Sequence, residues 1–239
     1  MPSHIVVPEE GIAPGLENAA GDALQLPMLL LAQPLTPEVM EGKMRAGDMF
    51  MSNDREESCL DLGQSFPFIP VFHFREFIEW GDREKGEGML SRSKDPKGDL
   101  ARRCMQQWQN RSRDTSGMPN VVEYHVFFVL FQGMKEPVML PLSKTKFKKG
   151  KLLLSLAMRR GSRVPLYGGK YSISAFLDQS RKGDKFYNFE FASAGWATKD
   201  EYELCEKMYN LIREQYQSLM VSYGDEREVV ASPDGPSEY

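Results

Sequence analysis

Three histidines and three cysteines are the chain's whole stock of imidazole and thiol. His4 lies near the start, and His73 and His125 sit inside strand-like patterns, where an imidazole is expected to pack or line an edge. Cys59, Cys104 and Cys205 are odd in number and far apart, which fits a reducing compartment and neither a disulfide scaffold nor a zinc knuckle. No HExxH is present and no Cys/His cluster has ligand spacing, so no metal or cofactor is expected. A phosphate loop fails too. In the segment 161–172 (GSRVPLYGGKYS), Val164 stands five positions before Gly169 where glycine is required. Tyr171 follows Lys170 where a hydroxyl residue should coordinate magnesium. Asp82, Glu84 and Lys85 form a D-x-E-K set like a nuclease's. A nuclease needs its carboxylates held on strands to grip a metal, and these fall in a glycine-rich stretch.

The residues suited to binding are more numerous. Net charge is −4 overall, but residues 144–185 hold 12 basic side chains and 2 acidic ones. Residues 1–80 hold 4 basic and 13 acidic, and 224–239 hold one basic and five acidic. A cationic centre between anionic ends suggests a polyanion partner, although the chain's pI is near 5.6. A single nucleic-acid strand needs cations for its phosphates and rings for its bases. Lys144, Lys146, Lys148, Lys149, Lys151, Arg159, Arg160, Arg163, Lys170, Arg181, Lys182 and Lys185 supply the first. Trp80, Arg83, Lys85 and Arg92 extend the set, and Tyr167, Tyr171 and Tyr187 join Trp80 as candidate stacking rings. Trp108 is a further ring of the same kind. Phe72, Phe74, Phe127, Phe128, Phe189 and Phe191 are expected in the core.

These side chains must be positioned by a mainly β framework. Residues 66–80 (FPFIPVFHFREFIEW) alternate like a strand, with Pro67 and Pro70 implying an edge or a bulge near its start. Residues 120–132 and 137–142 predict a second and a third strand. Residues 143–160 predict a basic helix with Ser143 as its N-cap. Residues 170–179 and 185–194 predict a hairpin. Residues 198–222 predict a long helix, opened by the capping box of Thr198 and Glu201. Residues 24–40, interrupted by three prolines, predict a short docked segment and a turn, and 42–50 a turn into a short strand. Within a long 81–113 loop, residues 81–100 predict a mobile, glycine-rich stretch and 101–113 a short basic helix or irregular chain. This order predicts a mainly β fold with α: an OB-type barrel of five or six strands, with one inter-strand helix and a C-terminal helix. Its domain covers 24–223, after a flexible lead (1–23) and before an acidic disordered tail (224–239). No apolar run approaches the roughly 20 residues of a membrane helix. With no Lys or Arg in the first 42 residues, no signal peptide is expected, and the expected location is the host cell cytoplasm.

The opening LQLPMLLLAQPLTPEVMEGKMRAGDMF, the FIPVFHFREFIEW strand ending in Trp80 and the GDREKGEGML that follows are similar to a family of tailed-phage proteins. The shared patterns are P-x-L-x-L-x-Q-x-x-S/T-P-E-V and W-x-x-R-x-x-G-x-G, and the likeness spans about residues 24–200. The overall plan resembles that of phage replicative single-stranded DNA-binding proteins: an OB fold, a basic and aromatic groove, and an acidic C-terminus ending in an aromatic residue. Asp225, Glu226, Glu228, Asp234, Glu238 and Tyr239 match that last feature. The resemblance implies a non-enzymatic protein that protects single-stranded DNA during replication or recombination. Its tail would compete for the groove and recruit polymerase or helicase–primase. The helix 198–222 is expected to cap the barrel or to pair a homodimer. The rival readings are a metal-dependent nuclease built on Asp82, Glu84 and Lys85, and a phage structural or interaction protein that binds no nucleic acid.

Overall fold

The computed structural model describes residues 27–52, 64–82, 85–110, 120–180 and 183–215. The lead 1–23, the tail 224–239 and the 216–222 end of the expected last helix lie outside them.

Strand β3 runs from Phe66 to Trp80, as the alternation predicted. It pairs antiparallel with β5 (Val121–Phe131) over most of its length, and β5 pairs with β6 (Val138–Ser143). The other edge of β3 is shared. Its first residues pair with β7 (Gly169–Gln179) and its last with β4 (Met89–Ser93), and β7 continues to β8 (Lys185–Trp196). The register of β3 shifts between Pro70 and Phe72. Proline cannot donate to the ladder, so a bulge is a natural place for it. The shift exchanges the two faces. Before it, Phe68 packs with Phe131, Tyr171 and Phe191. After it, the ring of His73 lies on that side against Phe127, while Phe72 and Phe74 turn to Phe128 on the other.

The six strands make an open antiparallel sheet, and no strand pairing joins its edges β6 and β8. The expected barrel closure is therefore replaced by something else. A small antiparallel pair, β1 (Leu29–Leu31) with β2 (Met49–Met51), bears on both edges. Met28 bridges Met139 of β6, whose N–H donates to the Pro27 carbonyl at 2.8 Å. On the other side the Gln33 side-chain amide both accepts from Tyr187 N–H and donates to Tyr187 C=O of β8, each at 3.0 Å. One glutamine thus satisfies the backbone groups that a neighbouring strand would have paired. The pair is buried on both faces: Leu29, Leu31, Met49 and Met51 enter one core cluster, and Leu30, Ala32 and Phe50 another. Between β1 and β2 the chain makes one helical turn, α1 (Pro37–Met40).

The 81–113 segment is not one long loop: it contains the unexpected strand β4, and of the two alternatives for 101–113 the helix forms, as α2 (Asp99–Asn110). Leu100, Ala101 and Cys104 recur on one helix face and pack on Phe77 and Val121. The many glycines and charges of the segment masked that short stripe.

The predicted basic helix forms as α3 (Phe147–Met158). Ser143 does not cap it, because a 3₁₀ turn over 144–146 intervenes and the serine makes no side-chain cap bond. Gly150, Leu153 and Ala157 form its inward stripe. Gly150 is present for space. A Cβ there would lie 2.8 Å from His125 Cβ and 3.0 Å from its ring. Gly150→Ala should therefore destabilise the fold by about 1–3 kcal/mol despite alanine's better helix propensity. A urea unfolding midpoint at or above the wild-type value would refute that.

The C-terminal helix α4 (Lys199–Gln215) carries the predicted capping box. Glu201 accepts from Thr198 N–H at 2.8 Å, and Thr198 Oγ1 accepts from Glu201 N–H at 3.4 Å. Cys205, Tyr202, Met208, Tyr209 and Ile212 pack on Ile69, Val71, Leu130 and Tyr167. This stripe of the helix is spent on the chain's own sheet. No helix among the described residues is long and apolar enough to cross a membrane.

Candidate nucleic-acid interface

The cations predicted for a polyanion separate into two groups. Lys85 and Arg92 belong to the β3–β4 arm and carry carboxylate partners. Lys85 pairs with Asp82 at 3.3 Å, and Arg92 donates to the fully buried Glu76 at 2.6 Å. Arg92 is thus a structural cation, because removing it would leave a buried carboxylate uncompensated. Lys170 is similarly occupied, 2.8 Å from Glu201. Burial works against the Glu201 carboxylate, but hydrogen bonds from Lys170 and Thr198 prevail and hold it below its ordinary range. Arg83, Arg181 and Lys182 lie outside the described residues, as do Glu84, Cys59, His4 and the tail residues Asp225, Glu226, Glu228, Asp234, Glu238 and Tyr239.

The second group is continuous. Residues 137–177 contain no Asp or Glu. Within them α3 turns its apolar stripe inward, so helical geometry places Lys148, Lys151, Ser155 and Arg159 on the opposite, exposed face. At 1.5 Å per residue this face runs about 16 Å from Lys148 to Arg159. Lys144, Lys146 and Lys149 flank its start at half-buried positions, and exposed Arg163 follows its end. Lysine ammonium groups lie over rings: Lys149 Nζ is 4.4 Å from the centroid of half-buried Phe176 and Lys146 Nζ 5.2 Å from that of buried Phe189. Lys185 opens β8 at the surface. Five lysines gather at the first turns of α3, where the helix dipole already presents positive charge.

The predicted rings are a partial correction. Tyr171 is 0% exposed and Tyr167 only 7%. Both belong to the core and have no face for a base. Burial, reinforced by the nearby Tyr202 hydroxyl, pushes the Tyr167 phenol up to about 12. Trp80 and Tyr187 are half-buried and pack against the two main clusters. The ring that sequence reasoning missed is Trp196, at 59% exposure the most open of the tryptophans described. The expected strand stopped at Ala194. In fact β8 continues through Gly195 at φ +108°, and Trp196 pairs with Gly169.

Among the described residues, no set of three His, Cys, Asp or Glu could hold a metal ion. Burial pushes the Cys104 and Cys205 thiols up to about 11, far from thiolate reactivity at neutral pH. The two strand histidines do meet, His73 Nε2 lying 2.9 Å from His125 Nδ1. They meet under α3, against Phe127 and Phe147, and His125 Nε2 is buried with no hydrogen-bond partner. Burial lowers His73 to about 3 and His125 to about 4, so both rings are neutral at pH 7.

The fold and site define a β-rich protein with an open antiparallel sheet and a cationic surface helix. The chain belongs to the family of Pam3 phage gp34-like proteins, which matches it over residues 2–217. It is thus a member of a phage protein family. No curated protein and no solved structure matches it.

Proposed function

We propose that this protein is a non-enzymatic binder of single-stranded DNA that serves phage replication or recombination without strong sequence preference. One observation carries the reading: a 41-residue stretch without a carboxylate folds so that α3 presents Lys148, Lys151 and Arg159 along one exposed face, with Lys149 and Arg163 beside it. Such a stripe is the electrostatic footprint that backbone phosphates neutralise. The phage family membership gives such a binder a setting. In this reading the acidic stretch 224–239 competes for the same surface and offers itself to replication proteins once a strand displaces it.

The test is a fluorescence-anisotropy titration with single- and double-stranded oligonucleotides at two salt concentrations, with and without residues 224–239. Single strands should bind more tightly, affinity should fall steeply with salt, and removing the tail should tighten binding. An affinity that salt does not change, or none at all, overturns the reading and favours an interaction protein with no nucleic-acid role.

A further inference from the structure

Arg160, just beyond α3, does not point at solvent. Its guanidinium carbon lies 4.8 Å from the Tyr171 ring centroid and 4.7 Å from that of Trp196. One of its nitrogens donates to the Lys170 carbonyl at 2.9 Å and to Ser193 Oγ at 2.7 Å. The room for it comes from Gly169, where a Cβ would lie 2.9 Å from Arg160 Nε and 2.7 Å from the Tyr171 hydroxyl oxygen. A buried tyrosine, an arginine and an exposed tryptophan are thus linked from the core to the surface. Guanidinium–indole contact and two hydrogen bonds hold the ring in place from one side. More than half of its surface remains open to solvent.

An indole held this way has lost its side-chain freedom before any ligand arrives, so a planar partner does not have to order it. Arg160, which holds it, is preceded and followed in the chain by further cations: Arg159 and Arg163 are both exposed. Of the two acidic residues in the first turn of α4, Glu201 is already engaged by Lys170 and Thr198, and Asp200 is exposed. An open aromatic face held by one arginine, with exposed Arg159 next to that arginine in the chain, is the pairing that a base attached to a phosphate requires.

We infer that Trp196 is a nucleobase-stacking platform, locked by Arg160, with exposed Arg159 and Arg163 on the same stretch of chain as that arginine to meet the phosphates. The inference rests on the single-stranded DNA reading and gives it a base-contacting residue. Trp196→Ala should weaken binding of a single-stranded oligonucleotide about 5- to 150-fold, while the salt dependence stays as in the wild type. Trp196→Phe, which keeps a ring, should retain most of the affinity and show that the alanine variant's loss is not misfolding. An oligonucleotide carrying an abasic site at each position should bind wild type and Trp196→Ala alike. If the wild type binds with steep salt dependence but Trp196→Ala binds equally well, the platform is overturned and the DNA reading stands. Should no oligonucleotide bind the wild type, both fall together.

Discussion

Replacing Lys148, Lys149 and Lys151 together with alanine should lower affinity for a single-stranded oligonucleotide on the order of 100-fold at 0.1 M salt. Each phosphate contact on a single strand contributes about 0.7 to the slope of log K against log salt, so three lost contacts remove about two units of slope. Lys148 and Lys151 stand on the exposed face of α3, and Lys149 reaches across the ring of Phe176. Folding stability should barely move, because two small terms oppose. Removing cations from the first turns of a helix relieves about 0.3–1 kcal/mol each. The ring contacts of Lys149 with Phe176, and of Lys151 with Phe147 at 4.7 Å, return about 0.5–1 kcal/mol each. The two-sided outcome makes the experiment sharp: binding drops and the melting temperature stays within a few degrees. Affinity and salt slope both unchanged would remove α3 from the binding surface.

The parts of the fold legible in the sequence were those with strong local period. β3, β5 and the β7–β8 hairpin follow alternation, and α4 follows its capping box and apolar stripe. Closure was not legible. An OB barrel and this open sheet share almost the same string of strands. The difference lies in long-range events such as the Gln33 amide pairing with Tyr187 and Met28 bridging Met139. The binding surface divided the same way. Charge is local, so the cationic stretch could be counted directly, but whether Lys170 or Arg92 is spent on a carboxylate depends on Glu201 and Glu76, 31 and 16 residues away. Rings were the least legible part. Tyr171 sits among polar residues in sequence yet faces the core, because strand alternation outranks the character of its neighbours. Trp196 faces outward because a glycine lets the strand continue beyond its apparent end.

Acid should destabilise this protein well before its carboxylates are all protonated. A histidine whose folded pKa lies below its free value of about 6.5 favours folding in its neutral form. Its contribution is therefore complete above pH 6.5 and is lost as pH falls, until the folded ring itself protonates near 3 for His73 or 4 for His125. Burial is the main cause for both. Each ring also answers to positive charge: His73 to His125 and Arg75, and His125 to Arg75 and Lys151. Arg75 is held by Glu123 at 2.5 Å, so its charge stays beside the pair. Between pH 6.5 and 4.5 the two rings together set an upper limit of about 5 kcal/mol, reached at no more than about 2.7 kcal/mol per pH unit. Urea unfolding of wild type and of His73→Phe/His125→Phe at pH 7.5, 6.0, 5.0 and 4.5 isolates this contribution, since phenylalanine keeps ring packing but binds no proton. The variant's stability should fall less steeply with acid, even if its value at pH 7.5 is lower. Parallel curves would mean that the rings are open to protonation in the folded state.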